Sequence, residues 1–223
     1  MGRSIEVVII AQNEGEYAMK MVCSMPHDWK VHYIADRCTD NTLDDLSICK
    51  VDLVDTTPLN LQGRQTSFCR NLGLSRCKPD SDVLFLDGDR YPVSGSLTEA
   101  IESCTTDILC LQVSRDVRDP KTFSENFGKI DNGFFSCGIF FRRSAINSIM
   151  QFQKGELFNT SLQSDWGIED TSLGDLAYHL SLSASLSDKV RLRGCFERTK
   201  LDSINVLEKR FKFRENLSVK WNR

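Results

Sequence analysis

The sequence lacks several features that would assign it to a specialised class of protein. Its nine cysteines are scattered over 223 residues without a Cys-x-x-Cys pair, which excludes the common zinc-binding and thiol-exchange motifs. No apolar run approaches the length of a membrane span. No secretory signal opens the chain, since the short apolar run at residues 7–11 gives way at once to polar residues. We therefore expect a cytoplasmic protein with reduced thiols and no transmembrane segment.

Neither sign of charge dominates the chain as a whole. The net charge is −3, from 28 Lys and Arg and 31 Asp and Glu, and this value indicates no particular partner. The distribution is uneven, because residues 189–223 contain eleven cations and four anions, a net charge of +7, so that residues 1–188 carry −10. Residues 209–214 interleave cations with phenylalanine. This basic end is typical either of a surface that meets phosphates or of a solvated C-terminal helix that packs Phe211 and Trp221 onto the body.

Strand and helix patterns alternate along the chain. Short apolar runs predict strands at residues 6–11, 31–35, 51–54, 83–86, 108–113, 134–141 and 190–196. Helical spacing predicts helices at residues 13–24, 65–76, 97–104 and 171–182, and a further helix that begins at a cap, Asp40 or Thr39, and continues to residue 48. Residues 116–132 are predicted to form a mobile polar loop. The alternation predicts an α/β fold with a mixed, mainly parallel sheet flanked by helices, in one domain over residues 1–200 with a basic tail or packed helix at 201–223.

Two aspartates separated by one glycine follow the fourth predicted strand. Side chains alternate along an extended segment, so Asp87 and Asp89 are expected to point the same way, while Gly88 leaves room for a bulky ligand. Carboxylate oxygens suit a divalent cation that carries phosphates. The alternative is a polar turn, because Asp-Gly is a common turn dipeptide. Residues 12–14 and Asp36 also follow predicted strands, so one cleft at the carboxyl edge of the sheet is expected to hold all of them.

Four separated pieces of sequence resemble, in the same order, those of a family 2 glycosyltransferase with the GT-A fold. They are similar also to catalytic segments of polypeptide N-acetylgalactosaminyltransferases and β-1,4-galactosyltransferases. The pieces are residues 8–14 (Val-Ile-Ile-Ala-Gln-Asn-Glu), 36–42 (Asp-Arg-Cys-Thr-Asp-Asn-Thr), 70–73 with 85–89 (Arg-Asn-Leu-Gly and Phe-Leu-Asp-Gly-Asp), and 166–170 (Trp-Gly-Ile-Glu-Asp). The resemblance implies the GT-A fold and an inverting, metal-dependent transfer of a sugar from a nucleotide sugar, expected to be a UDP-sugar, to an acceptor hydroxyl.

The resemblance also implies which residues bind the nucleotide. The expected contacts to the nucleobase and ribose are Gln12, Asn13, Glu14 and Asp36. Helix capping is the alternative for Asn13 and for Asp36. Arg70, in the Arg-Asn-x-Gly piece, is expected to reach the nucleotide, and Arg64 the diphosphate.

The metal and the donor sugar have their own expected contacts. Asp87 and Asp89 match the DxD motif, which holds Mn²⁺ or Mg²⁺ against the two phosphates of the donor. Gly138 is expected to admit the donor sugar close to the backbone, and a bulge in a plain strand is the alternative. Relatives with a third metal ligand place a His after the last strand, but residues 194–199 contain none. The third ligand is therefore Glu197, a water, or none from the protein, and His179 is interpreted as a packed or surface residue.

The last piece of the resemblance implies the acceptor side of the site. Asp170 and Glu169 are the predicted catalytic carboxylates. Asp170 is expected to be the base that takes the proton of the attacking hydroxyl, and Glu169 is expected to bind the donor or acceptor sugar. Trp166 is expected to offer an apolar wall to the acceptor. The alternative is that Glu169 and Asp170 only begin a helix near residue 171, where acidic residues suit the helix dipole.

The acceptor itself is left open by the sequence. A surface glycan or a modified, hydroxymethylated phage DNA is expected, the latter because of the basic end. Two other functions remain possible: a non-catalytic module that binds a sugar nucleotide or a glycan, and a sugar-1-phosphate nucleotidyltransferase. The nucleotidyltransferase needs a Gly-rich basic loop after the first strand, where residues 12–16 are acidic instead.

Overall fold

A computed structural model describes residues 4–113, 120–127, 138–162 and 168–193. Within these ranges eight strands form one sheet: β1 (Ile5–Ala11), β2 (Lys30–Ala35), β3 (Asp52–Asp55), β4 (Asp82–Asp87), β5 (Pro92–Gly95), β6 (Ile108–Val113), β7 (Gly138–Phe141) and β8 (Ala184–Leu192). The α-helices are α1 (Gly15–Cys23), α2 (Thr42–Leu46), α3 (Thr66–Arg76), α4 (Leu97–Glu102), α5 (Pro120–Asn126), α6 (Arg143–Phe152) and α7 (Ile168–His179). Two short 3-10 turns lie at Thr57–Leu59 and Thr160–Leu162.

The sheet is mixed and mainly parallel, as predicted. Its strand order is β3-β2-β1-β4-β7-β6-β8-β5. The half formed by β3, β2, β1 and β4 is entirely parallel, because each connection between these strands includes a helical crossover. β7 runs antiparallel to both of its neighbours, β4 and β6, whereas β8 is parallel to β6 and antiparallel to β5. The parallel half therefore brings the carboxyl ends of four strands to one edge.

Helices cover both faces of the sheet, which explains the nearly continuous apolar runs of β1 and β4. Alternate residues of a strand face opposite layers. Val8 and Phe85 belong to a core that α3, α6 and α7 complete. Val7 and Leu84 belong to a second core, completed by α1 and α4 on the other face. Both layers end at the carboxyl edge, so side chains that follow β1 and β4 leave the apolar interior there.

Several elements differ from the prediction. The expected mobile loop at residues 116–132 is wrong at its centre, where Pro120–Asn126 forms α5 and contacts β8, because Phe123 is buried at 1% exposure and anchors the helix. The final strand begins earlier than predicted, at Ala184. β5 and α6 were absent from the prediction, although the buried Ala145, Ile146 and Ile149 of α6 have helical spacing. The predicted domain boundary at residue 200 lies outside the described residues.

Seven of the nine cysteines lie in the described ranges. The seven cysteines found there are free thiols, and Cys38, Cys69, Cys104 and Cys110 are buried as small apolar side chains. None of the helices in these ranges combines the length and the apolar character that crossing a bilayer requires.

Candidate active site

The carboxyl ends of β1, β2 and β4 are joined by backbone hydrogen bonds. The sheet register pairs Ile10 with Asp87 and Ala11 with Ala35. Beyond these pairs, the Gly88 N–H donates to the Ile10 carbonyl at 2.8 Å and the Asp36 N–H donates to the Ala11 carbonyl at 2.7 Å. Three of the predicted segments, at residues 12–14, at Asp36 and at Asp87, therefore leave the sheet side by side.

Gly88 is required by the packing of these strands. A Cβ at this position would lie 2.6 Å from the Cβ of Ala11 and 3.2 Å from the hydroxyl of Tyr33. Any larger residue would therefore push the end of β4 away from β1. The glycine keeps Asp87 and Asp89 at the edge of the sheet, where Asp89 is buried at 8% exposure and the Asp87 side chain is 32% exposed.

Arg70 of α3 links Asp87 to the predicted base, Asp170 of α7. Its Nη2 donates to Asp87 Oδ1 at 2.8 Å, and its Nη1 lies 3.7 Å from Asp170 Oδ1. The Arg70 side chain is only 2% exposed, and its guanidinium lies 5.3 Å from the ring centroid of Phe158. One buried cation thus joins the carboxylate expected to hold the metal to the carboxylate expected to activate the acceptor.

The asparagine of the Arg-Asn-x-Gly piece supports that arginine indirectly. Asn71 Nδ2 donates to the Phe158 carbonyl at 2.7 Å, and Asn71 Oδ1 accepts from the Phe158 N–H at 3.0 Å. The fixed Phe158 ring packs edge-on against Phe85 of β4 at 5.0 Å. Asn71 therefore holds the aromatic surface on which the Arg70 guanidinium rests.

Two arginines that the sequence analysis missed face Asp89. Arg90 Nε lies 3.3 Å from Asp89 Oδ1, and Arg193 Nη1 lies 3.7 Å from Asp89 Oδ2. Arg193 follows the last strand, β8, which stands next to β5 in the sheet. Its sequence signal is weak, a single cation after an apolar residue, since only the strand order brings it to the site.

Glu14 is a half-buried carboxyl at this edge, and its pKa is raised. Burial and then the charge of Asp89 raise the pKa of Glu14 to about 7; Asp87 adds to the effect, and Arg193 and Arg90 oppose it. A half-buried carboxyl whose pKa is raised by neighbouring carboxylates favours a cation beside it. The residue composition therefore fits a divalent ion with oxygen ligands.

The side chains of the described residues do not by themselves enclose that ion. Among the described residues, the His, Cys, Asp and Glu side chains whose ligand atoms all lie within 4.8 Å of one another are Glu6, His32 and Cys77, at the opposite edge of the sheet. Asp87 and Asp89 form no such group. An ion held by them would take its remaining ligands from water or from a bound phosphate, as is common for Mg²⁺.

Asn13 and Asp36 organise loops, and neither caps a helix. Asn13 adopts a left-handed conformation, with φ of 58°, and its Oδ1 accepts from the Thr39 N–H at 2.7 Å. Both oxygens of Asp36 accept from the Arg37 guanidinium, at 2.7 and 2.8 Å, and this hydrogen bonding raises the pKa of Arg37. The capping alternative for Asn13 and Asp36 is therefore wrong. Their predicted contacts to the nucleotide remain predictions.

Asp40, which the sequence suggested as the cap of α2, binds the first residue of both α1 and α2, although the N-cap positions are occupied by Glu14 and Asn41. Its Oδ2 accepts from the Gly15 N–H at 2.9 Å, and its Oδ1 accepts from the Thr42 N–H at 3.1 Å. Burial alone would raise the pKa of Asp40, but these hydrogen bonds and the Thr42 hydroxyl hold it below its ordinary value. One carboxylate thus fixes the starts of α1 and α2 relative to each other.

The structure says less about the other residues predicted to contact the nucleotide sugar. Gln12 is exposed beside Asn13, and Arg64 Nε donates to the Thr66 hydroxyl at 2.7 Å. A Cβ on Gly138 would collide with the Leu192 side chain and lie 3.2 Å from the Leu111 Cβ. Close packing of the central strands therefore explains this glycine by itself, and its contact with a sugar remains a prediction.

The predicted acceptor side is described only in part. Asp170 and Glu169 lie in the first turn of α7, as the helix-start alternative proposed, and Asp170 is 9% exposed. The side chain of Glu169, all of Trp166 and all of Glu197 lie outside the described residues. His179 is a packed residue, with its ring 6.4 Å from that of Phe152.

Comparisons with known proteins bear on the fold. No family model and no curated protein matches the sequence. Glucosyl-3-phosphoglycerate synthase from Mycobacterium tuberculosis, solved with Mn²⁺, UDP and glucosyl-3-phosphoglycerate, matches with a TM-score of 0.62 and 15% identity over 95% of this chain and 78% of that one. A mannosyltransferase from Pyrobaculum calidifontis, solved with GDP-Man and Mn²⁺, matches with a TM-score of 0.65 and 15% identity over 99% of this chain and 65% of that one. The chain has the GT-A fold. At this level of identity the likeness concerns the fold alone.

Proposed function

We propose that this chain is an inverting, metal-dependent glycosyltransferase that moves a sugar from a nucleotide sugar, expected to be a UDP-sugar, to an acceptor hydroxyl. The observation that carries the proposal is the contact of one buried arginine, Arg70, with both Asp87 and Asp170 at the carboxyl edge of a GT-A sheet. The similar structures contain Mn²⁺ with UDP or with GDP-Man, which supports the assignment of metal and donor.

Asp170 is the proposed base. Removing the proton of an acceptor hydroxyl requires a carboxylate within hydrogen-bond reach of it, and Asp170 is held at the site by Arg70 at 3.7 Å. Because the same guanidinium holds Asp87, the acceptor and the donor are positioned by one rigid group. Such positioning lowers the barrier by restricting both reactants before the reaction begins.

Asp87 and Asp89 are the proposed ligands of Mn²⁺ or Mg²⁺. The raised pKa of Glu14 indicates that a cation would be stabilised beside them. The ion, when bound, supplies Lewis-acid neutralisation of the departing nucleoside diphosphate. Gln12, Asn13, Glu14 and Asp36 lie at the same edge and are proposed to line the nucleoside part of the donor site, with Arg64 farther along.

A donor panel tests the proposal. The wild-type chain should hydrolyse one nucleotide sugar slowly in Mn²⁺ and stop when EDTA is added. Asp87→Asn should abolish the metal-dependent hydrolysis, whereas Asp170→Asn should retain nucleotide binding and lose transfer to an acceptor. Asp44→Asn, an exposed carboxylate on α2, is the matched control. Binding without turnover under all conditions would instead support the non-catalytic module, and release of pyrophosphate from a nucleoside triphosphate would support the nucleotidyltransferase.

The acceptor is proposed to be a surface glycan or hydroxymethylated DNA. The support for DNA is the net charge of +7 over residues 189–223, most of which lie outside the described ranges. Binding of DNA through phosphates weakens steeply with salt. Transfer of labelled sugar to modified DNA but not to unmodified DNA would support this acceptor, and the absence of salt-sensitive DNA binding would exclude it.

A further inference from the structure

The second aspartate of the DxD motif has an unusual cationic environment. Each oxygen of the Asp89 carboxylate faces a different arginine, Oδ1 facing Arg90 Nε at 3.3 Å and Oδ2 facing Arg193 Nη1 at 3.7 Å. Arg193 Nη1 also donates to the backbone carbonyl of Asp89 at 3.3 Å. Positive charge from two side chains is therefore built into the edge of the site where a diphosphate would lie.

Arg193 is fixed by its main chain as well as by its side chain. Its N–H donates to the Tyr91 carbonyl at 2.9 Å, and its own carbonyl accepts from Arg90 Nη1 at 3.0 Å. These bonds join the end of β8 to the segment that follows Asp89. Main-chain and side-chain contacts therefore both hold the Arg193 guanidinium next to Asp89.

Tyr17 of α1 holds the guanidinium from the other side. Arg193 Nη2 donates to the Tyr17 hydroxyl at 3.1 Å, and the guanidinium carbon lies 4.0 Å from the centroid of the Tyr17 ring. Tyr91 stacks on Tyr17 at 6.2 Å, and Lys20 Nζ lies 5.7 Å from the Tyr17 centroid. An arginine held in this way has lost most of its rotamer freedom before any ligand arrives, which favours binding of a phosphate.

The balance of charges at the site is compatible with binding of a diphosphate together with a divalent ion. The carboxylates of Asp87, Asp89 and Asp170 are accompanied by three arginines, Arg70, Arg90 and Arg193, and Glu14 is a fourth carboxyl at the same edge. A nucleoside diphosphate brings more negative charge than one divalent ion neutralises. Arg90 is buried, with a side chain 10% exposed, whereas the Arg193 side chain is 27% exposed. Arg193 is therefore the better placed of the two to reach a ligand.

We infer that Arg193, held by Tyr17 and Asp89, is a phosphate-binding residue that supplies part of the positive charge for the diphosphate of the donor. Nucleotide binding then depends on the protein as well as on the metal. The inference rests on the proposed function and goes beyond it by naming a residue and a support, Tyr17, that no motif of the sequence indicated.

Calorimetric titration with UDP and with uridine, each in Mn²⁺ and in EDTA, tests the inference. The wild-type chain should bind UDP in EDTA, more weakly than in Mn²⁺. Arg193→Gln should weaken UDP binding about 10-fold to 100-fold in both conditions, the range expected for hydrogen bonds to a charged group, and should leave uridine binding unchanged. Tyr17→Phe, which keeps the ring and removes the hydroxyl, should weaken UDP binding by about 3-fold.

Controls separate this role from a structural one. Lys189→Gln removes a cation of the same strand that pairs with Glu99 at 3.4 Å and is 50% exposed, and it should not change UDP binding. Arg193→Lys should retain part of the affinity, since it keeps the charge but loses the planar fork. If Arg193→Gln weakened binding of UDP and of uridine equally, or weakened neither, this inference would be overturned while the proposed function would stand. A wild-type chain that binds no nucleotide would overturn the proposed function and this inference with it.

Discussion

The two edges of the parallel half of the sheet both carry buried charges, but the charges are arranged for different purposes. At the amino edge, Glu6 Oε2 lies 2.6 Å from His32 Nε2, and His32 Nδ1 lies 2.7 Å from Asp52 Oδ2. Arg76 completes this chain with two hydrogen bonds to Asp52, at 2.6 and 2.7 Å. At the carboxyl edge, burial and the charges of Asp89 and Asp87 outweigh the opposing charges of Arg193 and Arg90 at Glu14.

The pKa values of Glu6 and Asp52 at the amino edge shift in the opposite direction to that of Glu14 at the carboxyl edge. Burial alone would raise the pKa of Glu6, but hydrogen bonds from His32, Lys78 and Ser81 lower it. Hydrogen bonds from Arg76 lower the pKa of Asp52. Burial and neighbouring carboxylates instead raise the pKa of Glu14 to about 7. One edge has satisfied its charges and stabilises the fold, whereas the other retains unfavourable charge that a ligand can relieve.

The amino edge is accordingly a poor metal site, despite the compact group of Glu6, His32 and Cys77. Both nitrogens of His32 already face carboxylates, and Glu6 Oε1 accepts from the Lys78 N–H at 3.1 Å and the Ser81 hydroxyl at 2.9 Å. A metal would have to displace these partners. Compactness alone is therefore a weaker indication of a binding site than unrelieved charge.

The largest effect is expected from Arg70→Met at the carboxyl edge. The change leaves Asp87 and Asp170 close together without their shared cation, so transfer should fall by about 10³-fold, equivalent to about 4 kcal/mol. The measurement is kcat/KM with the donor identified in the panel. Arg76→Met, at the other edge, is the control and should leave kcat/KM within a factor of about 2. Equal losses in the two variants would contradict the division between the edges.

The second largest effect is expected from His32→Leu, which should lower the stability of the protein without weakening nucleotide binding. The substitution leaves the carboxylate of Glu6 buried without its partner, so the free energy of unfolding should fall by about 3 kcal/mol. Urea unfolding gives this value, and a UDP titration of the folded protein gives the affinity. His27→Leu, at an exposed histidine, should change stability by less than about 0.5 kcal/mol.

A smaller and opposite effect is expected from Glu14→Gln. The folded-state pKa of Glu14 is raised, so the wild-type protein loses stability as the pH rises through about 7. The neutral glutamine avoids that loss. Without added metal, Glu14→Gln should stabilise the protein at pH 8 by about 1 kcal/mol, after allowance for solvent screening, and by much less at pH 5. The same gain at both values would show that the charge of Glu14 is not the cause.

The smallest effect is expected from Arg76→Gln. The Arg76 side chain is 43% exposed, so its pair with Asp52 should contribute about 0.5–1 kcal/mol at pH 7. Because the pKa of Asp52 is lowered in the folded protein, this contribution is present above the ordinary Asp pKa and is lost as the pH falls below about 4. The difference in unfolding free energy between the two proteins should therefore be largest at pH 7, only partly reduced at pH 3, and smaller still as the pH falls through the lowered pKa of Asp52.

The parallel half of the fold could be predicted from the sequence because its signals are local. The apolar runs of β1, β2 and β4 end at polar residues, and parallel strands bring those ends together. That reasoning placed residues 12–14, Asp36 and Asp87 at one edge, and the structure confirms their neighbourhood. Arg70 was identified by the resemblance, but its contact with Asp170 depends on how α3 and α7 both pack against the same face of the sheet.

The remaining parts depend on long-range contacts or on unusual local geometry. Arg193 reaches Asp89 only because β8 stands between β6 and β5, an order that no periodicity encodes. The pairing of Asp36 with Arg37 requires a left-handed backbone at Arg37, with φ of 50°, which is uncommon for arginine. α5 was not predicted because residues 116–132 are mostly polar, and Phe123 is one of the few apolar residues among them.

The position of β8 between β6 and β5 has a consequence for the order in which the chain folds. β1, β2 and β3 pair across 20–24 residues of chain, whereas β8 pairs with β6 across at least 76 residues and with β5 across at least 95. Contacts that are distant in sequence form late. We expect pulse-labelled amides of β1 and β2 to become protected before those of β8, so that residues 12–14 and Asp36 come together before Arg193 reaches Asp89.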